Sequence, residues 1–258
     1  MAWYLYLLAI VAGFLAGIIN TVAGSGSLIT LPVLIFLGLP ATVANGTNRI
    51  GIILQNSVAA LSFGRSKVLD LRGALILCAP AILGSFLGAQ IAVNLNEATM
   101  NKVIGAIMII MLFVIWLRPE RWLEGKLQTF SGPINPIQIL FLFAIGIYGG
   151  FIQAGVGIFL LAALVLSVGY DLVRANAVKL VIILAFTLLA LFVFAQNDLV
   201  NWEIGLLLGV GNMLGAWLAA RLAVKRGAIW VRQLLMATVA LSAAYLLGVF
   251  DLLARFLS

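Results

Sequence analysis

Long apolar runs separated by short polar stretches dominate the chain. A helix needs about 20 apolar residues to cross the hydrocarbon core of a bilayer. The pattern predicts ten hydrophobic segments, at residues 3–20, 27–37, 43–63, 73–93, 99–117, 137–153, 157–168, 174–195, 203–220 and 230–250. The second and seventh are too short to cross alone, and each follows a glycine-rich break. We therefore expect an all-α integral membrane protein with short broken helices.

The second half of the chain resembles the first. Three stretches align in the same order: 13–20 with 146–153, 38–48 with 169–179, and 84–89 with 211–216. Self-similarity of this kind indicates an internal repeat. The sequence predicts a first transmembrane repeat at 1–117, a cytoplasmic linker at 118–136 and a second transmembrane repeat at 137–258.

The basic residues predict how the segments are oriented. If all ten segments cross, the loops of one face hold Arg65, Lys67, Arg72, Arg118, Arg121, Lys126, Arg174, Arg221, Lys225, Arg226 and Arg232. The other face holds only Lys102 and Arg255. Cytoplasmic loops are enriched in lysine and arginine. The first face is therefore predicted to be cytoplasmic, with both termini outside the cell's inner membrane. The asymmetry largely disappears if the short segments re-enter instead of crossing.

Five crossings per repeat is an odd number, so the second repeat must be inverted. The charges of matched loops agree with this. The loop after the third segment is basic, whereas its counterpart after the eighth carries Asp198 and Glu203. Inversion exchanges the sides of matched loops and so accounts for the exchanged charge.

Composition excludes most other classes of protein. The chain is 64% hydrophobic and 9% charged, with a mean hydropathy of +1.22; soluble domains are about 25% charged. A water-soluble enzyme or a nucleic-acid binder is excluded despite the net charge of +7. The chain has no histidine and one cysteine, which removes histidine bases, histidine metal ligands and intrachain disulfides. No metal or cofactor is expected.

Inverted repeats with broken helices are typical of secondary transporters, which bind substrate near the bilayer midplane. Free N–H groups at helix N-termini attract anions. The breaks should therefore line a site for a small anion, although glycines also serve close helix packing. The candidate residues are Asn20, Thr21, Gly24, Ser25, Gly26 and Ser27 at the first break, and Gln153, Gly155 and Gly157 at the second.

Charges inside the segments add further candidates. Arg49 and Lys179 each lie a few residues inside a segment, where an unpaired charge is costly and by default functional. A bound anion could pair with them; snorkelling to the interface is the alternative. Asn45 aligns with Asn176, and Asn48 aligns with Lys179. These asparagines could donate hydrogen bonds to the anion or to other helices.

No acidic residue lies deep within any segment to serve as a proton relay. An inside-negative potential alone would drive an anion outward. We therefore expect export without obligatory proton coupling.

The sequence resembles the TauE/SafE family of bacterial membrane transporters over nearly its whole length. The resemblance is carried by the stretch 20–28 with Pro32, by 44–49, and by Gly155-Val156-Gly157. It implies export of sulfite or organosulfonates such as sulfoacetate across the inner membrane. The residues by themselves indicate only a small anion.

Other functions remain open at this point. An anion channel, or a carrier for another small anion, would share the same pattern. An intramembrane enzyme would need a Ser/Lys pair such as Ser25 with Lys179, and an assembly factor would transport nothing. The expected partners are the anion and the lipid bilayer, without nucleic acid; a homodimer is left open.

Overall fold

The computed structural model describes the backbone of residues 3–22, 24–116, 129–130 and 132–246, and the side chains of these except at 112, 115, 116, 224 and 226–246. The described residues form helices and no strand, which confirms the all-α prediction. The helices are α1 (Trp3–Val22), α2 (Ser27–Phe36), α3 (Ala41–Arg65), α4 (Leu71–Val93), α5 (Glu97–Trp116), α6 (Pro136–Phe151), α7 (Val156–Ala162), α8 (Leu172–Gln196) and α9 (Trp202–Leu246). A π-helical turn, Ala163–Val168, continues α7.

Four of the described helices are long and apolar enough to cross a membrane: α1, α4, α8 and the Trp202–Ala223 part of α9. The helices α2, α6 and α7 with its π-helical turn are shorter apolar elements. In α3, by contrast, the polar residues that dilute its apolar sequence are buried, among them Asn45, Arg49 and Asn56. A helix with buried polar residues belongs inside a bundle, where other helices shield it from lipid.

The predicted ninth segment and residues 230–246 of the tenth lie in one continuous helix. Helix extends over all of Trp202–Leu246, whereas the basic residues between 220 and 230 predict a loop. Residues 221–229 contain no proline and are rich in alanine, leucine, lysine and arginine, which favour helix. Charge alone therefore does not end the helix here. The predicted linker falls mostly on 117–128 and 131, which lie outside the described residues.

Paired glycines bring α1 into close contact with α9. Gly13 and Gly17 are one helical turn apart on α1, and a Cβ on either would collide with the backbone of Leu208 or Asn212. Glycines spaced in this way let helix backbones approach closely in membranes. In the other half of the chain, α4 meets α6 in the same manner. There the paired glycines are Gly84 and Gly88 of α4 with Gly146 and Gly150 of α6. The two contacts occupy matching positions in the aligned halves.

Asp70 joins three parts of the chain at one end of the bundle. It is the N-cap of α4, and its carboxylate accepts hydrogen bonds from Gly73 N (3.0 Å), Phe130 N (2.6 Å) and the Tyr170 hydroxyl (2.7 Å). Burial disfavours the charged form of Asp70, but these hydrogen bonds outweigh it and hold its pKa below the usual range. The Asp70 carboxylate therefore fastens residue 130 and the loop before α8 to the start of α4.

We expect Asp70→Asn to destabilise the protein at pH 7 by about 1–3 kcal/mol, because an amide N–H₂ would face the N–H donors. The pKa of the Asp70 carboxyl is lower in the folded protein than in the unfolded chain, where it is about 3.9. Its stabilising effect is therefore complete above the unfolded pKa and is lost as the pH falls through the folded pKa. The difference between variant and wild type should therefore shrink below about pH 4. Thermal unfolding in detergent across this range measures it. The exposed Asp198→Asn is the control, and a difference independent of pH would refute the assignment.

Candidate functional site

The two chain breaks meet inside the protein. Gly24 has φ 76° and Gly155 has φ 73°, a left-handed conformation that glycine adopts without strain. Gly157 N donates a hydrogen bond to Gly24 O (3.2 Å), and a Cβ on either of these two glycines would collide with the other. Irregular backbone at membrane depth is tolerated where it is buried in protein or lines a cavity. Here each break buries the other.

A small cavity of about 10 Å³, room for one water molecule, lies beside this contact. It is lined by Asn20, Ser27, Ile52, Gln55, Gln153, Val156 and Ile183. Asn20 and Gln153 occupy matching positions in the aligned halves, so each half contributes an amide side chain. The structure thus brings together three of the predicted residues, Asn20, Ser27 and Gln153. The other predicted residues lie in the breaks or on α3 and α8 around it.

Several buried polar atoms near the breaks have no hydrogen-bond partner within the described part of the chain. A buried polar group without a partner costs about 1–3 kcal/mol, and such groups in a folded protein call for a bound water, an ion or a functional role. The buried atoms without a partner are Thr21 Oγ1, Asn45 Oδ1, Gln55 Oε1, Asn56 Nδ2, Gln153 Oε1, Asn212 Oδ1, Arg49 Nε and both amide atoms of Asn176. The region is polar and incompletely satisfied.

Lys179 holds the end of α1. Its side chain is fully buried on α8, and Nζ donates hydrogen bonds to Asn20 O (3.1 Å) and Thr21 O (3.2 Å). These carbonyls belong to the last turn of α1, the negative end of the helix dipole. Asn20 O also accepts from Gly24 N (3.0 Å), so the carbonyl that depends on Lys179 is that of Thr21, which has no partner within the helix.

Arg49 holds the end of α6 in the corresponding way. It is fully buried on α3, and its two terminal nitrogens donate to Gly149 O (3.2 Å) and Gly150 O (2.6 Å). Its guanidinium carbon also lies 4.4 Å from the centre of the Phe194 ring, a favourable cation–π distance. Among the described residues neither Arg49 nor Lys179 forms an ion pair. Both predicted anion ligands therefore have the backbone ends of broken helices as their direct partners.

The predicted asparagines have different surroundings. Asn45 Nδ2 donates to Phe151 O (2.8 Å), so Asn45 also satisfies the end of α6. Asn48 accepts from the Thr30 hydroxyl (2.6 Å) and donates to Ser27 Oγ (3.1 Å). Asn20 Oδ1 accepts from Gly26 N (2.8 Å) and braces the first break. Ser25 and Asn176 are buried, and of these Asn176 has no partner for its amide.

Sequence reasoning missed Gln55 and Thr187. Gln55 lines the cavity, and the Thr187 hydroxyl accepts a hydrogen bond from Gln153 Nε2. A signal for both was present, because residues three and four apart share one helix face. On α3 that face carries 45, 48, 52 and 55; on α8 it carries 176, 179, 183 and 187. Polar residues recurring along these faces could have pointed to the site.

We expect Lys179→Met and Arg49→Met each to destabilise the protein, by about 1–3 kcal/mol for each carbonyl left without a partner. Methionine fills much of the same volume, so the loss reports the hydrogen bonds and the charge. Thermal unfolding in detergent measures it, with the exposed Lys102→Met as the matched control. A variant of either residue as stable as the control would show that the cations do not hold the helix ends.

Comparisons with known proteins agree over most of the chain. The family model described as sulfite exporter TauE/SafE matches residues 9–246. The probable membrane transporter protein ORF9 of Sinorhizobium sp. is 28% identical over 92% of this chain and 90% of its own. A probable membrane transporter protein of Haemophilus influenzae is 28% identical over 87% of each chain, and YfcA of Escherichia coli, also named a probable membrane transporter protein, is 27% identical over 90% and 86%. No solved structure matches significantly. Because the family model spans nearly all of the sequence, the chain belongs to the TauE/SafE family.

Proposed function

We propose that this protein is a secondary transporter that exports small sulfur-containing anions, sulfite or organosulfonates such as sulfoacetate, across the bacterial inner membrane. The observation that carries the proposal is the cavity where the two breaks meet, with Asn20 and Gln153 contributed by matching positions of the two halves. The family description supports the substrate class. Sites at the interface of two repeats, formed by broken helices, are common among secondary transporters.

The chemistry around the cavity suits an oxyanion. The amides of Asn20, Gln55 and Gln153 and the hydroxyl of Ser27 can donate hydrogen bonds to sulfonate or sulfite oxygens. No aspartate or glutamate lines the cavity. Lys179 donates a hydrogen bond to the backbone carbonyl of Asn20, whose side chain lines the cavity. A positive charge therefore lies behind the cavity wall without lining the cavity. Neutral donors backed by buried cations would attract an anion and still release it.

The structure corresponds, in this proposal, to a closed conformation. A cavity with room for one water molecule is too small for a sulfonate. Alternating access would separate the two breaks toward one side of the membrane and then the other. Helices of the two repeats, 1–117 and 137–258, would move in joined pairs, α1 with α9 and α4 with α6, because close glycine contacts hold each pair together. The matched contacts of α1 with α9 and of α4 with α6 support their equivalence.

The direction and energy source follow from charge. An inside-negative potential favours outward movement of an anion by about 2.3 kcal/mol per charge per 100 mV. With the basic face in the cytoplasm, the proposed transporter would export its substrate electrogenically. No carboxylate lines the cavity to couple this movement to protons.

Efflux from proteoliposomes tests the proposal. We expect selective, saturable efflux of sulfite or sulfoacetate from a panel that also contains taurine, sulfate, thiosulfate and acetate. The rate should increase with an inside-negative potential and should not require a pH gradient. Efflux that does not saturate would identify an anion channel, and efflux of none of the sulfur compounds would refute the substrate class.

Gln55→Leu tests whether the cavity is the transport site. Gln55 makes only one long hydrogen bond within the described residues, at 3.5 Å to Asn56, so its loss should leave stability nearly unchanged. Removal of one donor to a charged ligand should reduce efflux at low substrate about tenfold or more. Gln90→Leu, an exposed position on α4, is the matched control. Equal efflux by both variants would place the transport site elsewhere.

A further inference from the structure

A second cavity lies away from the breaks, between the C-terminal end of α3 and the middle of α9. It is a groove of about 290 Å³ lined by Val58, Leu61, Ser62, Arg65, Ser66, Trp217 and Arg221. None of these residues lines the proposed transport cavity. The groove therefore needs its own explanation.

The register of α3 and α9 explains why the groove is there. Asn201 N, just before α9, donates to the Thr47 hydroxyl near the start of α3 (2.8 Å). Farther along, Gly205 lies against Ile50 and Gly209 against Leu54, so the two helices run parallel with their glycines at the contact. Beyond the glycines α9 presents Trp217 and Arg221 to α3. Because these side chains are large, the two helices are not in close contact here as they are at Gly205 and Gly209, and a groove remains between them.

Both arginines of the groove lie at the level of lipid headgroups. The uncharged span of α9 at residues 204–220 is about 26 Å of helix, close to the thickness of the hydrocarbon core. Arg221 is near the end of this span, and Arg65 is the last residue of α3. The two guanidinium groups thus lie at the same membrane–water boundary.

The wall of the groove below the arginines faces lipid. Leu61 is 63% exposed and Trp217 is 42% exposed, and in a membrane protein such apolar exposure is directed at acyl chains. The groove consequently has a basic end at headgroup level and an apolar side along the hydrocarbon. The basic end matches the charged headgroup of a phospholipid, and the apolar side matches its acyl chains.

The guanidinium groups are the donors available in the groove. The Ser62 and Ser66 hydroxyls already donate to Val58 O and Ser62 O of their own helix. Arg221 is positioned by the Trp217 ring, 4.0 Å from its guanidinium carbon. In the described part of the chain neither arginine forms an ion pair with a carboxylate; the ion pair seen there is Arg174 with Asp171.

We propose that this groove binds an anionic phospholipid, with Arg65 and Arg221 on the phosphate and the acyl chain along Val58, Leu61 and Trp217. Guanidinium groups suit phosphate because their N–H donors form paired hydrogen bonds. Basic pockets between transmembrane helices at the membrane surface bind anionic headgroups. The apolar wall favours a lipid over a free phosphate ion, which would gain nothing from it.

Binding of phosphatidylglycerol to the purified full-length protein tests the proposal. Native mass spectrometry counts the bound lipids, with phosphatidylcholine as the zwitterionic comparison and inorganic phosphate as the headgroup alone. We expect wild type to retain phosphatidylglycerol in preference to phosphatidylcholine. The double variant Arg65→Gln/Arg221→Gln should bind it about tenfold or more weakly. Arg72→Gln, an exposed arginine at the same end of the bundle, should bind it as wild type does.

Three outcomes would overturn the proposal. They are equal retention of the two lipids by wild type, undiminished retention by the double variant, and a loss for Arg72→Gln as large as for the double variant. Thermal stabilisation by inorganic phosphate that equals the effect of phosphatidylglycerol would also overturn it, because the groove would then recognise a free anion. Thermal unfolding shows in parallel whether the double variant is folded. None of these readouts depends on transport.

Discussion

The fold depends on two buried cations that hold the ends of interrupted helices. A helix that stops inside a membrane protein leaves carbonyls without partners at the negative end of its dipole. Lys179 supplies hydrogen bonds and charge to the end of α1, and Arg49 does the same for α6. Without them, buried carbonyls at both breaks would lose a hydrogen-bond donor. The contact between Gly24 and Gly157 and the small polar cavity beside it both follow from this arrangement.

The same interaction links architecture to the proposed transport. The cations are satisfied by carbonyls, so they raise the potential of the region without lining the cavity. The cavity itself is lined by amides and a hydroxyl, which can bind either an oxyanion or water. Lys179 lies on α8 but holds α1, and Arg49 lies on α3 but holds α6. Each half of the chain thus depends on a cation from the other, and any motion of one half must carry the other's helix end with it.

Much of this was accessible from the sequence, because apolar length and glycine placement are local signals. The all-α class, the two breaks, and the cavity residues Asn20, Ser27 and Gln153 came from such patterns. The partners of Arg49 and Lys179 did not, since they lie 100 or more residues away along the chain. Gln55 and Thr187 were not predicted, because each lies outside the breaks and only the helix face that it shares with other polar residues connects it to them. The continuous α9 was not predicted, because the basic residues at 221–226 are typical of a cytoplasmic loop although residues 221–229 also favour helix.

The most direct test of the central claim is whether the anion binds where the breaks meet. A ligand that binds only the folded protein stabilises it by about 2.7 kcal/mol at 100 times the Kd, and its unfolding temperature therefore rises with ligand concentration. Thermal unfolding should be measured with sulfite and with sulfoacetate, against sodium chloride at equal ionic strength. The account predicts stabilisation of wild type and Gln90→Leu by at least one of the two, and its loss in Gln55→Leu. Equal stabilisation of Gln55→Leu, or none of wild type by either anion, would contradict it.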